Sequence, residues 1–128
     1  MAQVKIYGLR EALKPIQQRF SDSLHSCLAD ALKLPADKKF QRYLFMDQED
    51  YLYPGDRSPM YTIIEIHMFE GRSVEVKKRL IALIFERMAN IGFEAQDIEI
   101  TIIETPKSNW GIRGIPGDEL PLSYKVDV

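Results

Sequence analysis

Two short stretches of this chain carry residue types that can do chemistry, Glu70-Gly71-Arg72-Ser73 and Asn109-Trp110-Gly111-Ile112-Arg113-Gly114. Arg72 stands just before a segment with helical periodicity, so its guanidinium and the free N–H groups of a helix N-terminus can face one carboxylate together. The plain alternative is a solvated arginine. Trp110, the only tryptophan, sits among glycines and near Arg113 and Asp118, where it either walls a small pocket or anchors an irregular tail. Other candidates offer less. His25 and His67 belong to no metal-ligand spacing, so no metal site is expected. Cys27 falls on an apolar stripe as a small core residue. No glycine-rich phosphate loop or Ser-His motif occurs, and the acidic Asp47, Glu49 and Asp50 form a solvated loop.

The elements that must position Arg72 are legible on both sides of it. In Tyr61–Phe69, Ile64, Ile66 and Met68 alternate with Ile63, Glu65 and His67, the period of a strand. Ser73 is a plausible N-cap with Glu75 in the first turn, and Val76, Leu80, Leu83, Ile84, Met88 and Ile91 recur at helical spacing until Gly92. The first half reads the same way. A strand over residues 2–8 is followed by a helix entered at Pro15 and running to about Leu32, with Ile16, Phe20, Leu24, Cys27, Leu28 and Ala31 as its stripe. A second strand covers 40–47. An acidic, tyrosine-rich loop then leads through the Pro54-Gly55-Asp56 turn.

At an offset of 60 residues, Val4 and Ile6 fall on Ile64 and Ile66, and Ile16, Phe20, Leu24, Leu28 and Ala31 fall on Val76, Leu80, Ile84, Met88 and Ile91. Residues 98–104 take the place of 40–46. A doubled βαβ unit results, which predicts an α+β fold: a four-stranded mixed sheet with two helices on one face and a C-terminal hairpin or added strand. The expected layout is one domain over 1–128, with pseudo-repeats at 2–47 and 61–105 and an extension over 106–128. The helix-free face would expose Tyr7, Tyr43, Phe45, Ile63 and Ile103 among Lys5, Glu65, His67 and Thr101, too much apolar surface for water, so self-association is expected.

Bulk properties narrow the function. The 128 residues carry a formal charge of −2, which gives no electrostatic case for nucleic acid or an anionic membrane. One cysteine cannot form an internal disulfide. No apolar run approaches the roughly 18 residues of a membrane span, and MAQVKIYGLR lacks a signal-peptide core, so the cytoplasm is the expected compartment.

With the doubled unit, Leu34-Pro35, Gly71-Arg72-Ser73 and the Trp110-Gly111-Ile112-Arg113-Gly114 segment in hand, the sequence resembles the tautomerase superfamily, the fold of macrophage migration inhibitory factor. It is most similar to the malonate semialdehyde decarboxylase branch and its uncharacterised relatives. The resemblance implies a homotrimer with sites at subunit boundaries, a small oxo-carboxylate as ligand, no cofactor, and catalysis by an amino-terminal proline. Here the proline position falls on Ala2, the branch's acid on Lys38 and the first of its two arginines on Glu70. The second arginine, Arg72, and the pocket tryptophan, Trp110, are kept, with Arg113 and Arg42 as additional candidates. Two functions follow from the resemblance. One is an isomerase or lyase in which the amine of Ala2, exposed by loss of Met1, moves the proton. The other is a non-catalytic small-acid-binding or structural trimer that lost its proline. A partner-binding role for the loop over 47–57 rests on composition alone.

Overall fold

The computed structural model describes residues 2–126. Four strands, β1 (Ala2–Leu9), β2 (Gln41–Met46), β3 (Thr62–Phe69) and β4 (Ile98–Thr105), form one sheet in the order β2-β1-β3-β4. β1 and β2 run parallel, as do β3 and β4, whereas the central pair, β1 and β3, is antiparallel. Each half is thus a βαβ unit, and the two meet through their first strands. The expected α+β architecture is the one observed. β1 and β3 share the same alternation of buried and half-buried positions, residue for residue at the offset of 60. Lys5 pairs with Glu65, its own counterpart in the other half, so the pseudo-twofold axis passes between these two side chains.

A helical turn, α1 (Arg10–Leu13), leaves β1 directly, and a 3-10 turn over Lys14–Ile16 separates it from α2 (Gln17–Leu32). The entry expected at Pro15 is therefore earlier and broken. Proline lacks an N–H and crowds the preceding turn, so the helix stops and restarts around it. α2 buries Phe20, Leu24, Leu28 and Ala31, and α3 (Val74–Asn90) buries Leu80, Ile84 and Met88, onto which the first three map at the same offset. Both helices lie over Val4, Ile6, Ile64 and Ile66, each at most 2% exposed. Arg87 ties α3 to α2 through Asp30 at 2.7 Å and the Ser26 hydroxyl at 2.8 Å.

The helix-free face differs from expectation in two places. Tyr43 pairs with Ile6 and Phe45 with Gly8, which puts both rings on the helix side, where Tyr43 meets Phe20 edge-on at 6.2 Å. Arg42, Leu44 and Met46 take the open side instead. The cause is register: Val4 pairs with Gln41 while its counterpart Ile64 pairs with Ile100, so laying 40–46 on 98–104 is out by one residue, and one residue inverts the faces of a strand. Secondly, the loop after β2 is not merely solvated. Its Tyr51 and Tyr53 pack with Tyr61 against Tyr7 and Ile63, and the Tyr51 hydroxyl donates to the carbonyls of Tyr7 and Tyr61 at 3.1 and 3.2 Å. Leu44 and Leu52 remain exposed.

The C-terminal segment makes a two-residue hairpin, β5 (Gly111–Ile112) with β6 (Ile115–Pro116). Beyond it, Leu122, Tyr124 and Val126 do not extend the sheet; they fold back on Phe69 and Trp110. In the sequence these three and Val128 alternate as the residues of a hairpin or added strand would; Val128 and Met1 lie outside the described residues.

Candidate functional site

Arg72 is positioned from both sides. β3 ends at Phe69, the Glu70 N–H donates to the carbonyl of Thr105 at 3.0 Å, and Gly71 turns the chain with φ of 132°, a conformation that disfavours any side chain. Ser73 then caps α3, its hydroxyl accepting from the Val76 N–H at 3.2 Å. Between these fixed points the Arg72 side chain turns inward and is only 5% exposed. Its Nε, Nη1 and Nη2 are all buried without a hydrogen-bond partner among the described residues. The nearby carboxylate of Glu104 is held by Lys77 at 2.7 Å. Burial depresses the guanidinium pKa, while Tyr124 and Glu104 act against that shift.

The hydroxyl of Tyr124 is likewise buried and without a partner among the described residues. Burial pushes its pKa up, and the positive charges of Arg72 and Arg113 work the other way, so the phenol stays protonated at neutral pH. Tyr124 lines two open clefts. One, of about 480 Å³, is bordered by Glu70, Gly71, Lys107 and Lys125. The other, of about 220 Å³, contains Lys38 and Arg113.

The remaining candidates sort by sheet geometry. Ala2 pairs with Met68, which places the start of β1 beside the end of β3 and hence at the Arg72 end of the sheet; the residue is 3% exposed. β2 runs parallel to β1, and the Val4 N–H donates to the Phe40 carbonyl, so Lys38 reaches the same end. Trp110 lines neither cleft. Its ring meets Phe69 edge-on at 5.1 Å and its indole N–H donates to the Thr105 hydroxyl at 2.7 Å, so within this chain it anchors the tail. Arg42 points from the helix-free face, where Nη2 reaches the Gln3 side chain at 2.9 Å. It does not join Arg72 within the chain. Tyr124 was not singled out by its type or spacing; a tyrosine in an alternating tail carries no local signal of burial. Asp47, Glu49 and Asp50, the grouping of metal-competent side chains found among the described residues, are exposed after β2, at the opposite end of the sheet.

Arg113 is held at a cost. It turns the hairpin with φ of 52°, followed by Gly114 at 86°, the paired left-handed conformations of a type I′ turn that favours Asn-Gly. An arginine is strained there by about 1 kcal/mol, whereas asparagine's short side chain can hydrogen-bond its own backbone in this conformation. Replacing Arg113 with asparagine is expected to raise the thermal midpoint by about 2–5 °C. A lower midpoint in a thermal melt would mean that the arginine side chain supports the hairpin by contact.

A doubled βαβ chain with a four-stranded mixed sheet and both helices on one face has the architecture of the tautomerase fold. A family model described as tautomerase enzyme matches residues 38–113, and the chain belongs to that family. The 2-hydroxymuconate tautomerase of Comamonas testosteroni is 37% identical over 57 residues, which are 44% of this chain and 90% of that protein. One half of this chain thus spans nearly the whole of a shorter relative, as a duplicated unit requires. A crystal structure of FG41 malonate semialdehyde decarboxylase inhibited by 3-bromopropiolate superposes with a TM-score of 0.72 at 28% identity, over 85% of this chain and 87% of that one. A fused 4-OT wild-type asymmetric trimer, at 19% identity, shares the fold with a TM-score of 0.81 over 91% of this chain and 97% of that chain. The protein is tautomerase-like in fold and family.

Proposed function

We propose that this chain forms a trimer and binds a small 2-oxo or 3-oxo carboxylate through Arg72, as a tautomerase-like isomerase or lyase. The observation that carries the reading is the buried guanidinium, whose three nitrogens have no partner among the described residues. An uncompensated buried charge costs several kcal/mol, and a carboxylate taken up in two parallel N–H···O bonds offsets that cost. Bound so, a 2-oxo acid has its carbonyl beside a fixed positive charge, which stabilises the oxyanion that develops on enolisation. Ala2, at the same end of the sheet, supplies a primary amine once Met1 is removed, with an ordinary pKa of about 7.7–8.0, suited to taking or giving a proton near neutrality. The trimeric fused relatives and the exposed Leu44 and Leu52 support a seam between copies. A single buried thiol, Cys27, fits a reducing cytoplasm.

A second reading, a non-catalytic small-acid binder, is favoured by one set of residues: Ala2, Lys38 and Glu70 stand where the resemblance places proline, acid and arginine. Intact mass together with phenylenolpyruvate ketonisation separates the two. The enzyme reading expects a chain starting at Ala2 and a rate above buffer that rises further in Ala2→Pro. A retained methionine with no rate above buffer removes the amine mechanism, and activity confined to the proline variant leaves the parent a binder.

A further inference from the structure

Arg72 accounts for a carboxylate but not for the oxo group beside it, and the position where the resemblance puts an acid holds Lys38, which cannot act as a neutral donor at that oxygen. The cleft that contains Lys38 also contains two neutral hydroxyls, on Ser123, which is exposed, and on Tyr124. The Tyr124 hydroxyl is buried without a partner among the described residues, as is the guanidinium of Arg72. A buried phenol usually finds an acceptor. Two orphan donor groups at one end of the sheet, one cationic and one neutral, match the two acceptors of a 2-oxo acid, its carboxylate and its ketone.

We infer that Tyr124 is the specificity-determining hydrogen-bond donor for the 2-oxo oxygen of the ligand whose carboxylate Arg72 holds. This rests on the carboxylate reading of Arg72 given above. Tyr124 comes from the tail folded over the Phe69 and Trp110 side chains rather than from the βαβ core. The tail is thereby part of the binding site: it supplies the group that separates oxo acids from plain carboxylates. Because the phenol keeps its proton, it donates to a ketone and donates more strongly as negative charge gathers on that oxygen, without itself transferring a proton.

The test is calorimetric titration of the full chain with pyruvate and with propionate, the same carbon chain without the 2-oxo oxygen, repeated on Tyr124→Phe. The parent protein is expected to bind pyruvate about tenfold more tightly than propionate, and the variant to bind both within about twofold of each other, with propionate affinity unchanged. A tenfold preference that survives in Tyr124→Phe overturns the assignment. So does a variant that loses propionate as well, since the phenol would then be supporting the site rather than reading the ketone. Failure of the parent protein to bind either acid is a separate outcome. It removes the carboxylate site at Arg72, and this inference with it.

Discussion

Arg72→Met will leave the unliganded protein more stable than its parent and unable to hold small carboxylates. Arg72 is 5% exposed and its guanidinium makes no hydrogen bond among the described residues, so it has lost its hydration with nothing from these residues in exchange. Methionine keeps an unbranched stem of similar reach and removes the charge. Replacing buried ionic groups by apolar ones commonly gains about 1–4 kcal/mol, and a gain at the lower end of that range is expected here. Binding moves in the opposite direction: losing a buried, charge-assisted bidentate contact costs about 2–5 kcal/mol, or roughly 30-fold to several thousand-fold in affinity. Chemical denaturation and pyruvate titration on the same two proteins give both numbers. A stability loss in Arg72→Met would identify the arginine as a structural strut, and retained affinity would place the carboxylate elsewhere.

Phe69→Ala should have the largest effect on stability near the site. Phe69 is fully buried at the last position of β3, edge-on to Trp110 and in the same cluster as Leu122, Tyr124 and Val126. Truncating a buried phenylalanine costs about 3–5 kcal/mol. Here the cavity opens beneath the tail instead of between α2 and α3, so the tail is the part that loosens. Trp110 is the only tryptophan, and its emission reports directly on that event. The expected result is a fall of about 3–4 kcal/mol in denaturant unfolding with a red shift of the emission. A loss below about 1 kcal/mol, or an unmoved spectrum, would show that the C-terminal residues are not seated on this ring.

The doubled unit was readable because strand and helix periodicities repeat at one offset, and the halves of a sheet joined through β1 and β3 need no more than that. Ser73 and Gly71 announced the turn that holds Arg72, since cap and positive-φ chemistry are local. What escaped depends on pairings between distant residues. The one-residue difference in how β2 and β4 register on their partners moved Tyr43 and Phe45 across the sheet and left Arg42 on the other side, and nothing within 40–47 encodes it. The alternation of Leu122, Tyr124, Val126 and Val128 fits a hairpin or an added strand. The burial of the first three comes instead from Phe69 and Trp110, more than ten residues away in the chain, so alternation alone did not distinguish a sheet edge from a packed coil. Pro15 reads as the start of a helix, where it breaks one already begun at Arg10. Trp110 reads from its neighbours as either a pocket wall or a tail anchor, and within this chain the hydrogen bond to Thr105 and the contact with Phe69 make it the anchor.

The measurement closest to the central claim is a crystal structure of the full chain grown with millimolar pyruvate. The account predicts the carboxylate on Arg72, with two N···O distances of about 2.7–2.9 Å. Contradiction would take the form of pyruvate bound away from Arg72, or of a guanidinium already paired with an acidic side chain of its own or a neighbouring copy.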